Sequence, residues 1–170
     1  MSVLRPITPA DHAAVLAWNE AHVELLSPLD EAGLVELLGW SDPSSSVISL
    51  GGRDLGFVIT IGAGTAYGST NYRWFAARHP SFLYLDRIVI DPAARRTGAA
   101  SRTYDAIEAR ARDVGPVLCL EVNLDPPNEP SLAFHRARGF VEVGQEQAHG
   151  HLVSLLEKDV SAVRSVACNR

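Results

Sequence analysis

The six residues Arg95-Arg96-Thr97-Gly98-Ala99-Ala100 combine two cations, a glycine and the start of a helical pattern. A helix start leaves its first amide N–H groups without intrahelical partners, and glycine lets the backbone come close to a ligand. With the positive end of the helix dipole these amides make an anion site, and phosphate is the usual occupant. Arg95 and Arg96 add full charges at the rim. Residues 82–90, just upstream, are rich in aromatic and β-branched types, as a strand requires, and Asp91-Pro92 ends them. Strict alternation there puts Tyr84, Asp86, Ile88 and Ile90 on one face and Leu85, Arg87 and Val89 on the other. Downstream, Glu121 interrupts the apolar run 117–122. A carboxylate in such a run needs a reason, which is either chemistry or an ion pair with Arg87.

Several elements must hold these residues in place. Ala100, Tyr104, Ile107, Ala111 and Val114 recur at helical spacing, so the turn opens an amphipathic helix. Residues 3–7 read as a first strand. Thr8-Pro9-Ala10-Asp11 reads as a capped helix start, followed by Val15, Trp18, His22 and Leu25 on one stripe and broken at Ser27-Pro28. A second helix is expected over 30–38 with Gly39 as its stop, and residues 26–29 between the two helices suit one wall of a cleft. Residues 47–50 and 55–61 around Gly51-Gly52 predict a hairpin. The stretch 62–81 reads as a long loop, and its Asn71-Tyr72-Arg73-Trp74-Phe75 segment reads as a substrate lid or as aromatics packed on the body. A buried strand over 117–123, a proline-rich break, a short helix over 131–138 stopped by Gly139, and strands over 140–144 and 152–156 complete an α/β layout with a mixed sheet.

A chain of 170 residues with 46% hydrophobic and 21% charged residues fits one globular domain, expected over 1–160 with a tail at 161–170. Its net charge of −5, with Lys158 as the sole lysine, argues against nucleic acid as a partner. Cys119 reads as a core residue and Cys168 as part of the tail, so no disulfide framework is expected. The absence of an apolar run of spanning length or of a signal-like start leaves a cytoplasmic protein, with no membrane partner, as the expectation. His149-Gly150-His151 lacks a surrounding ligand cluster, and no metal is expected. His22, on an apolar stripe, reads as a packed histidine.

The element order and two spaced motifs resemble the GNAT superfamily of acyl-CoA-dependent N-acyltransferases. Residues 95–100 are similar to its phosphate-binding signature, Arg or Gln, two residues, Gly, one residue, Gly or Ala. Asn128, Ser131, Phe134-His135 and Gly139-Phe140 resemble its downstream motif, and Leu120-Glu121-Val122 a recurrent strand ending. The resemblance implies a single-domain, mixed, centrally split β-sheet flanked by helices, with acetyl-CoA as acyl donor. It implies that the backbone of Ile88, Val89 and Ile90 pairs with pantetheine. It further implies that the amides of Arg95, Arg96, Thr97, Gly98, Ala99 and Ala100 hold the pyrophosphate, and that Asn123, Asn128 and Ser131 line the channel. For Asn128 and Ser131, roles as helix cap and first-turn residue stand beside ligand contact.

The implied reaction is attack of an amine on a thioester. An ammonium has no lone pair, so a base must take its proton, and the leaving thiolate benefits from a donor. Asp86 and Glu121 are the candidate bases. Many members of the resembling family carry a donor Tyr where this chain has His135, which serves as an altered donor or simply packs. Tyr72, Trp74 and Tyr84 are candidate substrate contacts. The expected function is acetyl transfer to a primary amine of a small molecule, amino acid or peptide. A non-catalytic acyl-CoA-binding module is the alternative; an acceptor attached to tRNA fits the acidic balance poorly. Arg73, Arg78 and Arg87 favour an acceptor that also bears a carboxylate, whereas the acidic pair favours a cationic amine. Homodimerisation through the C-terminal strands is common in the resembling family and stays open here. Gly98 is not followed by Lys-Ser/Thr, which excludes a P-loop.

Overall fold

The computed structural model describes residues 4–94, 97–148 and 150–161. The first part of the chain forms β1 (Leu4–Pro6), α1 (His12–Glu20), α2 (Glu31–Trp40), β2 (Ser46–Leu50), β3 (Arg53–Gly62) and α3 (Thr70–Ala76). The second part forms β4 (Leu83–Ile90), α4 (Ala99–Val114), β5 (Val117–Asp125), α5 (Glu129–Ala137), β6 (Val141–Ala148) and β7 (His151–Asp159). The predicted order holds with one addition, α3, where the sequence suggests a loop. Gly39 lies inside α2 rather than stopping it, because Asp30 caps that helix through Gly33 N–H and Leu34 and Leu37 carry it across the core.

The seven strands run in the order β1-β2-β3-β4-β5-β7-β6. All neighbours are antiparallel except β4 and β5, which pair in parallel only at Leu83–Leu118 and Tyr84–Cys119. Beyond those two pairs the strands part, so the split in the sheet is real. From Leu85 onward the β4 ladder is to β3, and β5 is held by β7 as far as Asp125. Backbone groups on the edges facing the gap are therefore available to a ligand, since neither strand satisfies the other there.

Two cores cover the sheet. One packs Val15 of α1, Leu34 of α2 and Tyr72 and Phe75 of α3 against Tyr84, Val89 and Cys119. The other packs Tyr104 and Ile107 of α4 against Leu83, Leu85, Leu120 and Val122, with Ile88, Ile90 and Phe134 at its margin. Tyr84 thus shares a face with Val89, and not with Ile88 and Ile90 as strict alternation predicts. The cause is a bulge: Leu85 pairs with Thr60 and Arg87 with Ile59, which leaves Asp86 as the extra residue. One inserted residue reverses the facing of everything after it.

Candidate active site

Where β4 and β5 part, a cavity of about 450 Å³ opens. Its floor comes from the two strands. Its walls come from residues 22–28 after α1, from Tyr67, Ser69 and Asn71 around the start of α3, and from α4, α5 and β7. The linker predicted as a wall is one, through Leu26, Ser27 and Pro28. Asp86, Glu121, His135, Ile88, Val89, Asn123, Asn128 and Ser131 all line this cleft.

The two carboxylates sit in different surroundings. Glu121 lies two residues beyond Cys119, the partner of Tyr84, and so emerges on the α1–α3 face beside the bulge. The Tyr84 hydroxyl donates to Glu121 Oε2 at 2.6 Å, and Asn71 also hydrogen-bonds this side chain. Burial, with the nearby Asp86 charge as a smaller cause, raises the Glu121 pKa to about 7. Asp86 Oδ1 accepts from the Tyr67 hydroxyl at 2.7 Å, and its Oδ2 lies 3.5 Å from Arg87 Nε. Burial first, and these acids second, push the Tyr67 and Tyr84 phenols up, so both remain hydrogen-bond donors. Arg87 does not reach Glu121 as an ion-pair partner. Its Nη1 donates to Asn19 Oδ1 at 2.7 Å and to the Ser27 carbonyl at 2.8 Å, and its Nη2 donates to Ser27 Oγ at 2.6 Å. The arginine ties α1 and the cleft wall to β4.

Asn71 is 2% exposed and lines the cleft, yet its Oδ1 has no partner. An unpaired buried acceptor costs about 1–3 kcal/mol, so the position is an expensive one to leave polar.

On the opposite face, the His135 ring bridges two helices. Its Nδ1 lies 2.7 Å from the Ser131 carbonyl, which can only accept, so Nδ1 carries the proton. Nε2 is then the acceptor for the Tyr104 hydroxyl at 2.7 Å. Burial lowers the His135 pKa, which keeps the ring neutral. Both ring nitrogens are committed, and Tyr104 and Ser131, the two hydroxyl residues beside the ring, also line the cleft.

The turn from β4 to α4 forms a second, shallower depression lined by Ile90, Asp91, Ala94, Gly98, Ala99, Ala100 and Ser101. Gly98 caps α4 at φ 79°, a left-handed conformation that a side chain would strain, and a Cβ there would meet only Arg102 Nε, at 3.9 Å. Thr97 Oγ1 donates to the Ala94 carbonyl at 2.6 Å and accepts from Ala99 N–H at 3.3 Å, holding the turn in shape. Thr97 N–H donates to the Ala94 carbonyl at 3.3 Å and Ala99 N–H to Thr97 Oγ1, so the donors here that fit a pyrophosphate are the Gly98 and Ala100 amides at the glycine cradle. Arg95 and Arg96 lie outside the described residues, as do His149 and Cys168. Asn128 caps α5 by accepting from Ser131 N–H at 3.3 Å, so its structural role is occupied while it also borders the cleft.

Two expected substrate contacts are elsewhere. Tyr72 is buried in the core, with its hydroxyl donating to the Gly62 carbonyl at 2.9 Å. Trp74 packs on β6 at Gly144, where a Cβ would come within 2.7 Å of the indole, and Arg78 stacks over its ring at 3.3 Å. The lid reading of this segment therefore gives way to a packed helix, because Tyr72 and Phe75 lie one turn apart and bury together. Tyr84 stands at the cleft through Glu121. Sequence reasoning passed over Tyr67, Tyr104 and Asn19. Tyr104 counts there only as a helix-periodic apolar residue, and nothing local marks Asn19 as a ligand for an arginine 68 residues away. Among the described residues, no group of three or more His, Cys, Asp or Glu could hold a metal ion, and no helix is long and apolar enough to cross a membrane.

The sequence matches the profile of the Acetyltransferase (GNAT) family over residues 15–140. No curated protein sequence matches it. Among solved structures, Ard1 from Thermoplasma volcanium is similar with a TM-score of 0.70 at 20% identity, covering 92% of this chain and 95% of that one. Arabidopsis thaliana Naa50, in complex with the bisubstrate analogue CoA-Ac-MVNAL, gives 0.69 at 11% identity over 92% and 97%. The ribosomal-protein-S18-alanine N-acetyltransferase from Escherichia coli gives 0.65 at 15% identity over 98% of both chains. At these identities the likeness speaks for the fold.

Proposed function

Since the chain belongs to the GNAT acetyltransferase family, we propose that it transfers the acetyl group of acetyl-CoA to a primary amine in a ternary complex, with Glu121 as the base. The observation that carries this reading is the half-buried Glu121 carboxylate lining the cleft at the sheet split, held by the Tyr84 hydroxyl and with its pKa raised to about 7. The backbone of Ile88, Val89 and Ile90 along the open edge of β4 holds the pantetheine arm, and the Gly98 and Ala100 amides hold the pyrophosphate, with Arg95 and Arg96 contributing positive charge. Asn123, Asn128 and Ser131 border the other side.

In the reaction the amine nitrogen bonds to the acyl carbon, the C–S bond breaks, and its electron pair goes to sulfur. The amine proton passes to Glu121, directly or through water. Asp86, held by Tyr67 and Arg87, supplies a fixed negative charge that keeps Glu121 basic enough to accept. Two carboxylates thus take two roles, because one is ion-paired and the other is desolvated. His135 is neutral and spent on Ser131 and Tyr104, so it positions Tyr104 rather than protonating the sulfur. A thiol's modest pKa makes CoA a tolerable leaving group without a strong acid.

The test is thermal unfolding with and without acetyl-CoA, followed by detection of free thiol over an amine panel. Binding to the folded state raises the midpoint. A rise together with amine-dependent thiol release is the expected result. A rise without release under any amine would leave a non-catalytic acyl-CoA-binding module. No rise at millimolar acetyl-CoA would remove the cofactor assignment.

A further inference from the structure

Three arginines in the sequence suggest an acceptor that carries its own carboxylate, and the structure disposes of each. Arg78 stacks on Trp74 and donates to the Trp74 carbonyl, away from the cleft, and Arg73 does not line the cleft either. Arg87 does line it, but its two terminal nitrogens are taken by Asn19 and Ser27, and its Nε faces Asp86. Among the described cleft residues it is the one permanent cation.

The opposite sign is plentiful. Asp86 and Glu121 stand on the floor and Glu24 on the wall. Of the three histidines that line the cleft, His135 is held between Ser131 and Tyr104, and the other two are tied to backbone carbonyls. His22 Nδ1 lies 2.9 Å from the Trp18 carbonyl and His151 Nδ1 lies 3.2 Å from the Asp125 carbonyl. A carbonyl only accepts, so each Nδ1 carries a proton and is spent on the backbone rather than on a ligand. Asn71 contributes one more acceptor, its unpartnered Oδ1. Its orientation is fixed, because the amide NH2 is what can bond the Glu121 carboxylate.

We propose that the acceptor of this enzyme is an amine with no carboxylate beside it, such as the amine of an amide-capped residue, and that free amino acids are excluded by the charge of the cleft. The proposal rests on the acetyltransfer reading above. A free amino acid would bring its carboxylate into a partly desolvated cleft that holds carboxylates and, among the described residues, no unengaged arginine or lysine, where an unpaired buried charge is costly. Discrimination here comes from a repulsive element as much as from attraction. An ammonium or amine, by contrast, brings N–H donors to a site made of acceptors.

The experiment compares alaninamide with alanine as acceptors for the whole protein, by thiol release from acetyl-CoA. Because the two amines differ in basicity, kcat/KM is expressed per fraction of neutral amine. Alaninamide should be favoured by about tenfold or more. Equal or better use of alanine overturns the proposal while leaving acetyl transfer intact. No transfer to these or to any other amine removes the acetyltransfer reading, and this proposal with it. A second variant tests the cause. Leu25 lines the cleft and is 47% exposed, so Leu25→Arg adds a cation without disturbing the core. It should narrow the preference for alaninamide, and an unchanged ratio would show that charge is not what excludes alanine, which overturns the proposal.

Discussion

The β4–α4 turn and the carboxylate pair stand at the same split in the sheet and are built on different principles. The turn is made of backbone. Its shape is set by one glycine at positive φ and one threonine that bonds on either side of it, all within a few residues. The carboxylate site is made of side chains gathered from far apart: Tyr67 reaches Asp86, Tyr84 reaches Glu121, and Arg87 reaches Asn19 and Ser27. Local geometry makes a turn whose fit to an anion needs no titration. Long-range assembly makes a site whose charge is tuned by its neighbours. The first should be broken by shape and the second by charge.

Gly98→Val strikes the turn hardest. The side chain would fill the open cradle and strain a left-handed backbone, so acetyl-CoA affinity should fall by more than about tenfold in calorimetry. The pH dependence of turnover at saturating acetyl-CoA should stay where it is. Unchanged affinity would remove the phosphate assignment.

Charge changes at the second site should move the pH dependence and spare acetyl-CoA affinity. Asp86→Asn removes a charge that raises the Glu121 pKa, so the rise of turnover with pH should shift to lower pH. Asn71→Leu removes a hydrogen bond that lowers it, so the rise should shift to higher pH, by up to about one unit. Shifts in the same direction in both variants would contradict the tuning. Stability carries the same signature. Glu121 moves from an ordinary 4.5 to about 7 on folding, so the folded state binds the extra proton between those values. Its contribution to stability is full below about 4.5 and is lost as pH rises through about 7, a trend that Glu121→Gln should abolish in denaturant melts.

The smallest effect on turnover is expected at His135. His135→Phe leaves the Tyr104 hydroxyl without its partner and should lower stability by about 1–3 kcal/mol in denaturant unfolding. Turnover at saturation should change only a few-fold. A loss of about a hundredfold with the fold intact would restore His135 as the proton donor.

The same contrast decides what was legible in the sequence. The strand–turn–helix around Gly98 and the capped α5 helix are written in contiguous residues, and periodicity with two short motifs was enough to place them. Glu121 stood out because a carboxylate is conspicuous in an apolar strand. The bulge at Asp86 was not legible, since it exists only as a register shift against Thr60 and Ile59 on another strand. Alternation therefore misassigned the faces of Ile88 and Ile90. The aromatics of α3 misled for a related reason: Tyr72 and Trp74 look like a lid until Gly144, seventy residues downstream of Trp74, provides the flat surface on which the indole packs. The partners of Arg87 lie in segments that sequence can align with nothing.

The account turns on Glu121 as the base for acetyl transfer, and one measurement reaches that claim directly. Thiol release from acetyl-CoA with alaninamide, followed from pH 5.5 to 9 in the native protein and in Glu121→Gln, should give two different curves. In the native protein kcat should rise with pH to a plateau, with its midpoint near the value of about 7 to which the Glu121 carboxylate is raised. In Glu121→Gln that limb should vanish and the plateau should drop by about 10²–10⁴. Two superimposable curves would contradict the account and remove the base from Glu121.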